Sequence, residues 1–248
     1  MTTGWRSLRP LAALLLVCGL ALQGVFALRV AAAAWVDPAS TSFQRSEAWR
    51  LWRSGEPWAW RHDWVPAERI ATALPRAVIA SEDAGFTEHG GIEWDAIERA
   101  WARNQAQQAR AERRAADRPG QAARPAKLVG GSTITQQLAK NLLLSGERTV
   151  LRKAQEAVLT LWLELWLDKP RILEVYLNHV EWGAGVFGAQ AAAQRYFRVD
   201  AARLSERQAA RLAVMLPAPK RFERRPDSAY LTGRTEVILG RMGDVQWP

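Results

Sequence analysis

Three carboxylates and a histidine follow an apolar run near residue 80. The run AVIA occupies 77–80, and SEDAGFTEH comes directly behind it at 81–89. Glu82 and Asp83 are adjacent, so on a helix their side chains point about 100° apart. One carboxylate can then face a cleft as a general acid or base, while the other braces the scaffold. The alternative is a pair of solvated acids at a helix end, which is what such a pair most often represents.

A second polar cluster, GGSTITQQLAKN, lies at 130–141. Two glycines let the backbone approach a ligand closely, and the helix N-terminus behind them favours phosphate through its free N–H groups and its dipole. Thr is a poor choice for a helix that needs only stability, although a glycine-capped helix is structural more often than functional. The predicted binding residues of this cluster are Ser132, Thr133, Gln136, Gln137, Lys140 and Asn141.

Cations crowd a third segment, RTVLRKAQEAV, at 148–158. Arg152 and Glu156 are spaced for an ordinary surface ion pair, which contributes only about 0.3–0.5 kcal/mol. The same segment also places Arg148, Arg152 and Lys153 ahead of a helix rich in Trp and Leu. Because Lys and Arg bind phosphate as a point charge and as a fork respectively, these cations suit a diphosphate held above an apolar tail.

The elements that must position these clusters are predicted to be helices. Almost every segment after the anchor has helical rather than alternating periodicity, so the domain is predicted to be mainly α, with one helix expected to start beside Pro66. N-caps are expected at Ser132 or Thr133, at Asp168 and at Ser205. Short strands are expected only within 43–64, which is rich in aromatic residues but has no helical stripe.

The N-terminus predicts a membrane anchor. The run 11–28 contains no charge, and the apolar sequence resumes behind Arg29, which is just enough to span a bilayer. Arg6 and Arg9 precede it, so the positive-inside rule leaves residues 1–10 in the cytoplasm. A cleaved signal and a lipoprotein signal are the alternatives, but the run exceeds the usual 7–15 residues of a cleaved signal. The predicted organisation is an anchor at 11–34, a linker at 35–65 and a domain at 66–248.

Composition limits the class of protein and its partners. With 48% hydrophobic and 24% charged residues the chain can bury a core, and its single Cys18 leaves an exported domain to be stable by packing alone. Seven Arg or Lys and two acids lie within 103–127, which is interpreted as a mobile basic surface insert. For a membrane-anchored chain, anionic or phosphorylated lipids are favoured over nucleic acid as partners; a merely solvated loop is the alternative.

Five segments, in this order, resemble the motifs of the peptidoglycan glycosyltransferases, the membrane-bound enzymes that polymerise lipid II into glycan strands. With no penicillin-binding domain behind Pro248, the monofunctional transglycosylases of Gram-negative bacteria are the most similar members. The resemblance covers roughly residues 60–240. The segments are EDAGFTEHGGIEWDAI, GGSTITQQLAKNLLL, RKAQEAVLTLWLE, ILEVYLNHVEWGAGVFGAQAAAQRYF and LAVMLPAPKRF.

The resemblance implies a fold and roles for residues. Family members have a lysozyme-like α lobe and a small membrane-proximal jaw lobe, which corresponds here to about 105–130 and extends into the helix after Gly131. Glu82 matches the catalytic base, and Glu156 matches the second essential Glu, which orients the basic residues or helps to hold a divalent cation such as Mg²⁺ or Mn²⁺. Asp83 is expected to orient the motif and to be one of the substrate-binding residues. The donor diphosphate is expected at Lys140, Arg148, Arg152 and Lys153, and the donor site is lined by Ser132, Thr133, Gln136, Gln137 and Asn141.

The resemblance also implies a setting. The expected substrates are lipid II and nascent glycan strands at the inner membrane, with the catalytic domain in the periplasm and with cell-division or elongation proteins as partners. Two other readings stay open: a lysozyme-like lytic enzyme, and a non-catalytic membrane-tethered protein that binds anionic lipid. The phosphate-suited clusters disfavour the lytic reading, because cleavage of an uncharged glycosidic bond leaves no diphosphate to hold.

Overall fold

A computed structural model of the chain describes residues 4–55, 58–116, 131–144, 146–147 and 149–246, without the side chains of 4–8 and 114–116. Over these residues the protein is mainly helical, which confirms the predicted fold class. The helices are α1 (Gly4–Ala32), α2 (Ser42–Ser54), α3 (Ala73–Glu82), α4 (Trp94–Ala116), α5 (Ile134–Leu143), α6 (Val150–Trp166), α7 (Lys169–His179), α8 (Ala189–Phe197), α9 (Glu206–Met215), α10 (Pro219–Glu223) and α11 (Ala229–Arg241).

One small sheet accompanies the helices in the described part of the chain. Its strands are β1 (Arg61–His62), β2 (Glu181–Gly183) and β3 (Val186–Phe187). β3 lies in the middle, parallel to β1 and antiparallel to β2. The sheet joins the segment ahead of α3 to the turn between α7 and α8, and so ties the N-terminal part of the chain to the core.

The anchor prediction is supported by α1. Arg9–Ala32 is long and apolar enough to cross a membrane. Its first half is exposed along all faces, with Leu14 and Leu20 at 58% and 63%. Near its end, Val30 and Ala33 are buried against the domain. The outer end of the anchor is therefore part of the packed structure.

Short strands were predicted within 43–64, and β1 (Arg61–His62) confirms one of them, but the first half of the segment is helical instead. Residues 42–54 form α2, which begins with a capping box between Thr41 and Gln44 and ends at Gly55 in the left-handed conformation. The buried face of α2 consists of Gln44, Glu47 and Leu51. Two of these three are polar, so the apolar stripe that identifies an amphipathic helix is missing from the sequence.

The predicted N-caps Thr133, Asp168 and Ser205 are confirmed, and each accepts a hydrogen bond from a backbone N–H of its helix. The helix expected from Pro66 is interrupted. A 3₁₀ turn at Ala67–Arg69 comes first, and α3 begins only at Ala73. The reason is a tertiary contact: the Ala71 N–H donates to the Ala201 carbonyl at 3.0 Å and so leaves the helical pattern.

The core lies beneath α3. This helix packs on α9 and α11, and its Leu74, Val78 and Ile79 are almost fully buried. Helix α5 packs against α2, α6 and α7 beside it. The C-terminal end of α3 and the N-terminal end of α5 meet, and this meeting point brings the first two sequence clusters together.

The basic insert is partly regular structure. Helix α4 runs through to Ala116, so the first half of 103–127 is helical instead of an irregular loop. The exposed side chains of Arg103, Arg110 and Arg113 lie on this helix. The remainder of the insert, and most of the predicted jaw at 105–130, lies outside the described residues, and so the division into two lobes stays a prediction.

Candidate active site

Glu82 is the last residue of α3, and its carboxylate points to α5. Gln137 Nε2 donates to Glu82 Oε2 at 3.0 Å, and Ser81 Oγ lies 3.4 Å from the other oxygen. Burial raises the pKa of the Glu82 carboxyl above its ordinary value, and the charge of Asp83 adds to the rise, while the Gln137 hydrogen bond opposes it. A carboxylate with a raised pKa is a better proton acceptor than an ordinary surface acid.

Gln137 is itself held by a buried phenol. Tyr176 Oη donates to Gln137 Oε1 at 2.9 Å, which directs the amide nitrogen to Glu82. Tyr176 is 1% exposed, and burial raises the pKa of its phenol well above the ordinary value. The phenol therefore remains a hydrogen-bond donor across the physiological pH range, and the orientation of the Gln137 amide is fixed.

Asp83 braces the scaffold. Its Oδ2 accepts the backbone N–H of Ile134 at 2.9 Å, at the first turn of α5, and its Oδ1 lies 2.8 Å from His89 Nε2. The pKa of His89 is raised by this carboxylate. Gly91 N donates to His89 Nδ1, and Gly91 O accepts from Thr133 Oγ1. The structure thus gives Asp83 the orienting part of its predicted role, and direct substrate contact by Asp83 stays a prediction.

A cavity of about 360 Å³ adjoins Gln137, and neither Glu82 nor Asp83 is among the described residues that line it. Its wall includes Gln137, whose amide reaches Glu82, so that the carboxylate and the cavity share one side chain. Eight of the predicted site residues line it: Ser132, Gln136, Gln137, Lys140, Asn141, Arg152, Lys153 and Glu156. The second and third sequence clusters therefore converge on one space.

Glu156 organises the cations of α6. It accepts from Arg152 Nη1 at 2.7 Å and from Lys153 Nζ through its other oxygen. Lys153 Nζ also lies 3.5 Å from Ser132 Oγ, and both residues line the cavity. Glu156 is only 3% exposed, so reading the Arg152–Glu156 pair as an ordinary surface ion pair was wrong. A buried carboxylate that holds two cations in place presents both of them to the cavity without reorganisation.

The remaining predicted residues are placed differently. Thr133 is 2% exposed, and it forms a reciprocal capping box with Gln136 at the start of α5. Its hydroxyl and backbone N–H are both used inside the protein, so the structure gives Thr133 a supporting position and a substrate contact for it stays a prediction. Arg148 lies outside the described residues.

The divalent cation stays a prediction, and two carboxylates that could hold it, those of Asp83 and Glu156, are engaged within the protein. The ligand atoms of Asp83, His89 and Glu93 lie within 4.8 Å of one another. However, Asp83 already uses both oxygens within the protein, and Glu156 uses both of its oxygens on cations. Mg²⁺ and Mn²⁺ favour several oxygen ligands, which these engaged carboxylates do not offer.

Sequence reasoning missed some of the cavity wall and the group behind it. Phe43, Leu144, Gly146 and Glu147 also line the cavity, and Tyr176 orients Gln137. Phe43 was unrecognisable because α2 was not predicted. Tyr176 is one of several core residues on α7, and its position in the helical pattern indicates only that it packs in the core.

A helical scaffold that holds a carboxylate of raised pKa beside a cation-lined cavity defines a class of protein, the glycosyl-transferring enzymes with a lysozyme-like fold. The sequence model of the family described as Transglycosylase matches residues 56–243. The chain belongs to this transglycosylase family.

Named relatives agree with this assignment. Proteins called biosynthetic peptidoglycan transglycosylase are 51% identical in Herminiimonas arsenicoxydans, over 86% of this chain and 86% of that protein, and 50% identical in Burkholderia pseudomallei, over 92% and 83%. In Paraburkholderia xenovorans the protein of that name is 47% identical over 96% of this chain and 92% of its own length. The similarity therefore extends over nearly the whole chain.

Proposed function

We propose that the protein is a peptidoglycan glycosyltransferase that polymerises lipid II into β-1,4-linked glycan strands and releases undecaprenyl diphosphate. The proposal depends on one observation: a proton-accepting carboxylate is linked to a cavity that is lined by cations. The carboxylate of Glu82 is joined through Gln137 to a cavity that Arg152 and Lys153 also line. Family membership and the names of the relatives support the same reaction class.

Glu82 acts as the general base in this proposal. The 4-hydroxyl of the acceptor lipid II is a poor nucleophile until its proton is removed, and a positioned carboxylate contributes about 10²–10⁴-fold to such a step. Glu82 takes this proton as the acceptor oxygen bonds to C1 of the growing chain's terminal sugar. The bond from C1 to the diphosphate oxygen breaks with inversion, and its electron pair leaves with the diphosphate.

The leaving diphosphate gains negative charge in the transition state, and the cations stabilise it. Lys140, Arg152 and Lys153 line the cavity in which the diphosphate would lie, and charge-assisted hydrogen bonds to such groups are the strong ones. Glu156 serves this step as a positioning residue, because its carboxylate forms ion pairs with both Arg152 and Lys153. Ser132, Gln136 and Asn141 line the same wall and are assigned to the donor.

The proposed setting follows from the anchor. Arg6 and Arg9 flank the cytoplasmic end of α1 by the positive-inside rule, which leaves the catalytic domain on the periplasmic side of the inner membrane. Both substrates carry polyprenyl tails that remain in the bilayer, so an anchored enzyme meets them by lateral diffusion. Cell-division or elongation proteins are the proposed protein partners, on the strength of the proposed cell-wall role.

The experiment that tests the proposal incubates the full-length protein in vesicles with lipid II. Glycan polymer and released undecaprenyl diphosphate are the expected products. Shortened fragments from purified sacculi, without polymer, would support the lytic alternative. If neither product forms, the protein is better explained as a non-catalytic lipid-binding protein.

Glu82→Gln tests the base. The substitution keeps the size of the side chain but removes its proton-accepting charge, so polymerisation is expected to fall by about 10²–10⁴-fold. The thermal midpoint should not fall, because burial disfavours the charged carboxylate that is removed. Asp63→Asn, at an exposed acid, is the matched control. A Glu82→Gln enzyme with near wild-type rate would require another acid as the base.

A further inference from the structure

The anchor helix carries a single side-chain amide, Gln23, within its apolar span. Two hydrogen bonds join it to Gln155 on α6. Gln23 Nε2 donates to Gln155 Oε1 at 2.6 Å, and Gln155 Nε2 donates to Gln23 Oε1 at 3.1 Å. An amide without a partner is costly in hydrocarbon, so each glutamine satisfies the other. The anchor thus makes a specific polar contact with the catalytic domain.

Gln23 begins a covered stripe along the outer half of α1. The covered positions recur about once in every helical turn, which places them on one helical face. Residues on the other faces, such as Leu22, Val25 and Leu28, are more than half exposed. The covered positions are Gln23, Phe26, Ala27, Val30 and Ala33.

A second contact holds the end of the anchor. Arg171 Nε on α7 donates to the Ala33 carbonyl at 2.9 Å, and its Nη2 pairs with Asp37 at 2.7 Å. Ten residues separate Gln23 from Ala33, a distance of about 15 Å along a helix. Two fixed points at this separation define the tilt of the anchor against the domain as well as its depth.

The first fixed point adjoins the cavity cations. Gln155 precedes Glu156 directly, and Arg152 and Lys153 lie within one turn of it on α6. We propose that Gln23 is a positioning residue for the reaction. Its pairing with Gln155 holds α6 at the depth in the bilayer where the diphosphate of a lipid-linked substrate lies. This inference rests on the proposed function, because it assigns the anchor to the donor side of that same site.

The test compares single and paired substitutions in full-length protein reconstituted into vesicles with lipid II. Gln23→Leu keeps the span apolar and so preserves insertion, but leaves the Gln155 amide without a partner. Gln155→Leu does the reverse. Each single variant is expected to lower kcat by about five- to tenfold, because an orphaned polar group in an apolar contact costs more than the hydrogen bond alone contributes.

The double variant tests whether the two amides act as a coupled pair. With leucine at both positions no amide is orphaned, so a substantial part of the lost kcat is expected to return. Leu22→Ala, on the exposed face of the same helix, is the matched control and should keep the wild-type rate. Membrane insertion of every variant is checked by alkaline extraction.

Two results would overturn the inference. Single variants with wild-type kcat would show that the pair does not position the site, and a double variant as slow as the worse single variant would show that the two amides are not coupled. Both results require a wild-type enzyme that polymerises lipid II in the same vesicles. A wild-type protein without polymerase activity would instead refute the proposed function.

Discussion

The carboxylate of Glu82 is connected to the interior by a chain of two hydrogen bonds, through Gln137 to Tyr176. The glutamate could be predicted from the sequence because it stands in a recognisable motif. The two hydrogen bonds behind Glu82 could not be predicted. The sequence does not show which way the Gln137 side chain points, and Tyr176 is indistinguishable in it from a core aromatic residue. A hydrogen-bond direction depends on the position of both partners, and only the folded arrangement supplies it.

Tyr176→Phe tests this chain at the scale of one hydroxyl group. Without the phenol, the Gln137 amide is free to turn, and its hydrogen bond to Glu82 weakens. That bond lowers the pKa of Glu82, so its loss should raise the pKa further. Because the base must be ionised, activity is lost as the pH falls through this pKa. The acid limb of the kcat profile is therefore expected above the usual carboxyl range in wild type, and still higher in Tyr176→Phe.

The control for this measurement is Tyr230→Phe, since Tyr230 is 62% exposed and stacks on Phe222 without contact to the site. Its acid limb should coincide with that of wild type. An unchanged limb in Tyr176→Phe would mean that the phenol does not act through Gln137 on the base.

Helices differ in how visible they are in the sequence. Helices α5, α7 and α9 could be predicted with their caps, because Thr133, Asp168 and Ser205 use local chemistry that any helix start requires. Helix α2 was missed, since its buried Glu47 is paired with Arg50 and Lys220 at 2.6 and 2.5 Å. Lys220 lies 173 residues away along the chain, and the local sequence pattern around α2 cannot indicate so distant a partner.

Helix α4 supports a prediction about the membrane surface. It carries exposed Arg103, Arg110 and Arg113, and Trp94 and Trp101 are exposed at 71% and 67%. Trp is enriched at membrane interfaces, and each Arg near an anionic surface contributes roughly 1 kcal/mol. In reconstituted full-length protein, the amides of α4 should exchange hydrogen more slowly in phosphatidylglycerol vesicles than in phosphatidylcholine vesicles.

Substitution of these three arginines by glutamine should remove most of that difference while the remaining helices keep their protection. The matched control replaces Arg203, Arg225 and Arg241, which are exposed elsewhere, and lowers the net charge equally. Equal effects of the two triple variants would mean that net charge alone, and not α4, governs contact with the bilayer.

At the scale of the whole molecule, stability is tied to a second buried acid, Glu181, which is not among the residues that line the cavity. Glu181 begins β2, is 7% exposed and lies 3.2 Å from Lys220 Nζ. Burial raises its pKa to about 7, despite Lys220, and the charge of Glu47 contributes to the rise. A raised folded-state pKa stabilises the protein at pH values below the unfolded pKa, and this stability is lost as the pH rises through about 7.

Glu181→Gln should therefore flatten the fall in thermal midpoint between mildly acidic and mildly alkaline pH. The substitution keeps the shape of the side chain and removes its titration. Glu236→Gln, at an acid that forms a half-exposed surface pair with Arg207, should leave the slope unchanged. The idea fails if wild type and Glu181→Gln lose stability in parallel across this range.

The glycine at position 91 has a genetic consequence. Its φ is +83°, and a Cβ there would lie 2.7 Å from both Thr160 and Glu164. Its N–H and carbonyl are already engaged by His89 and Thr133. Every missense codon at this position therefore disturbs the loop behind the base, the start of α5 and the packing of α6 in one step. Alleles recovered there under selection should be conditional on temperature, which would offer a way to switch the enzyme off in growing cells.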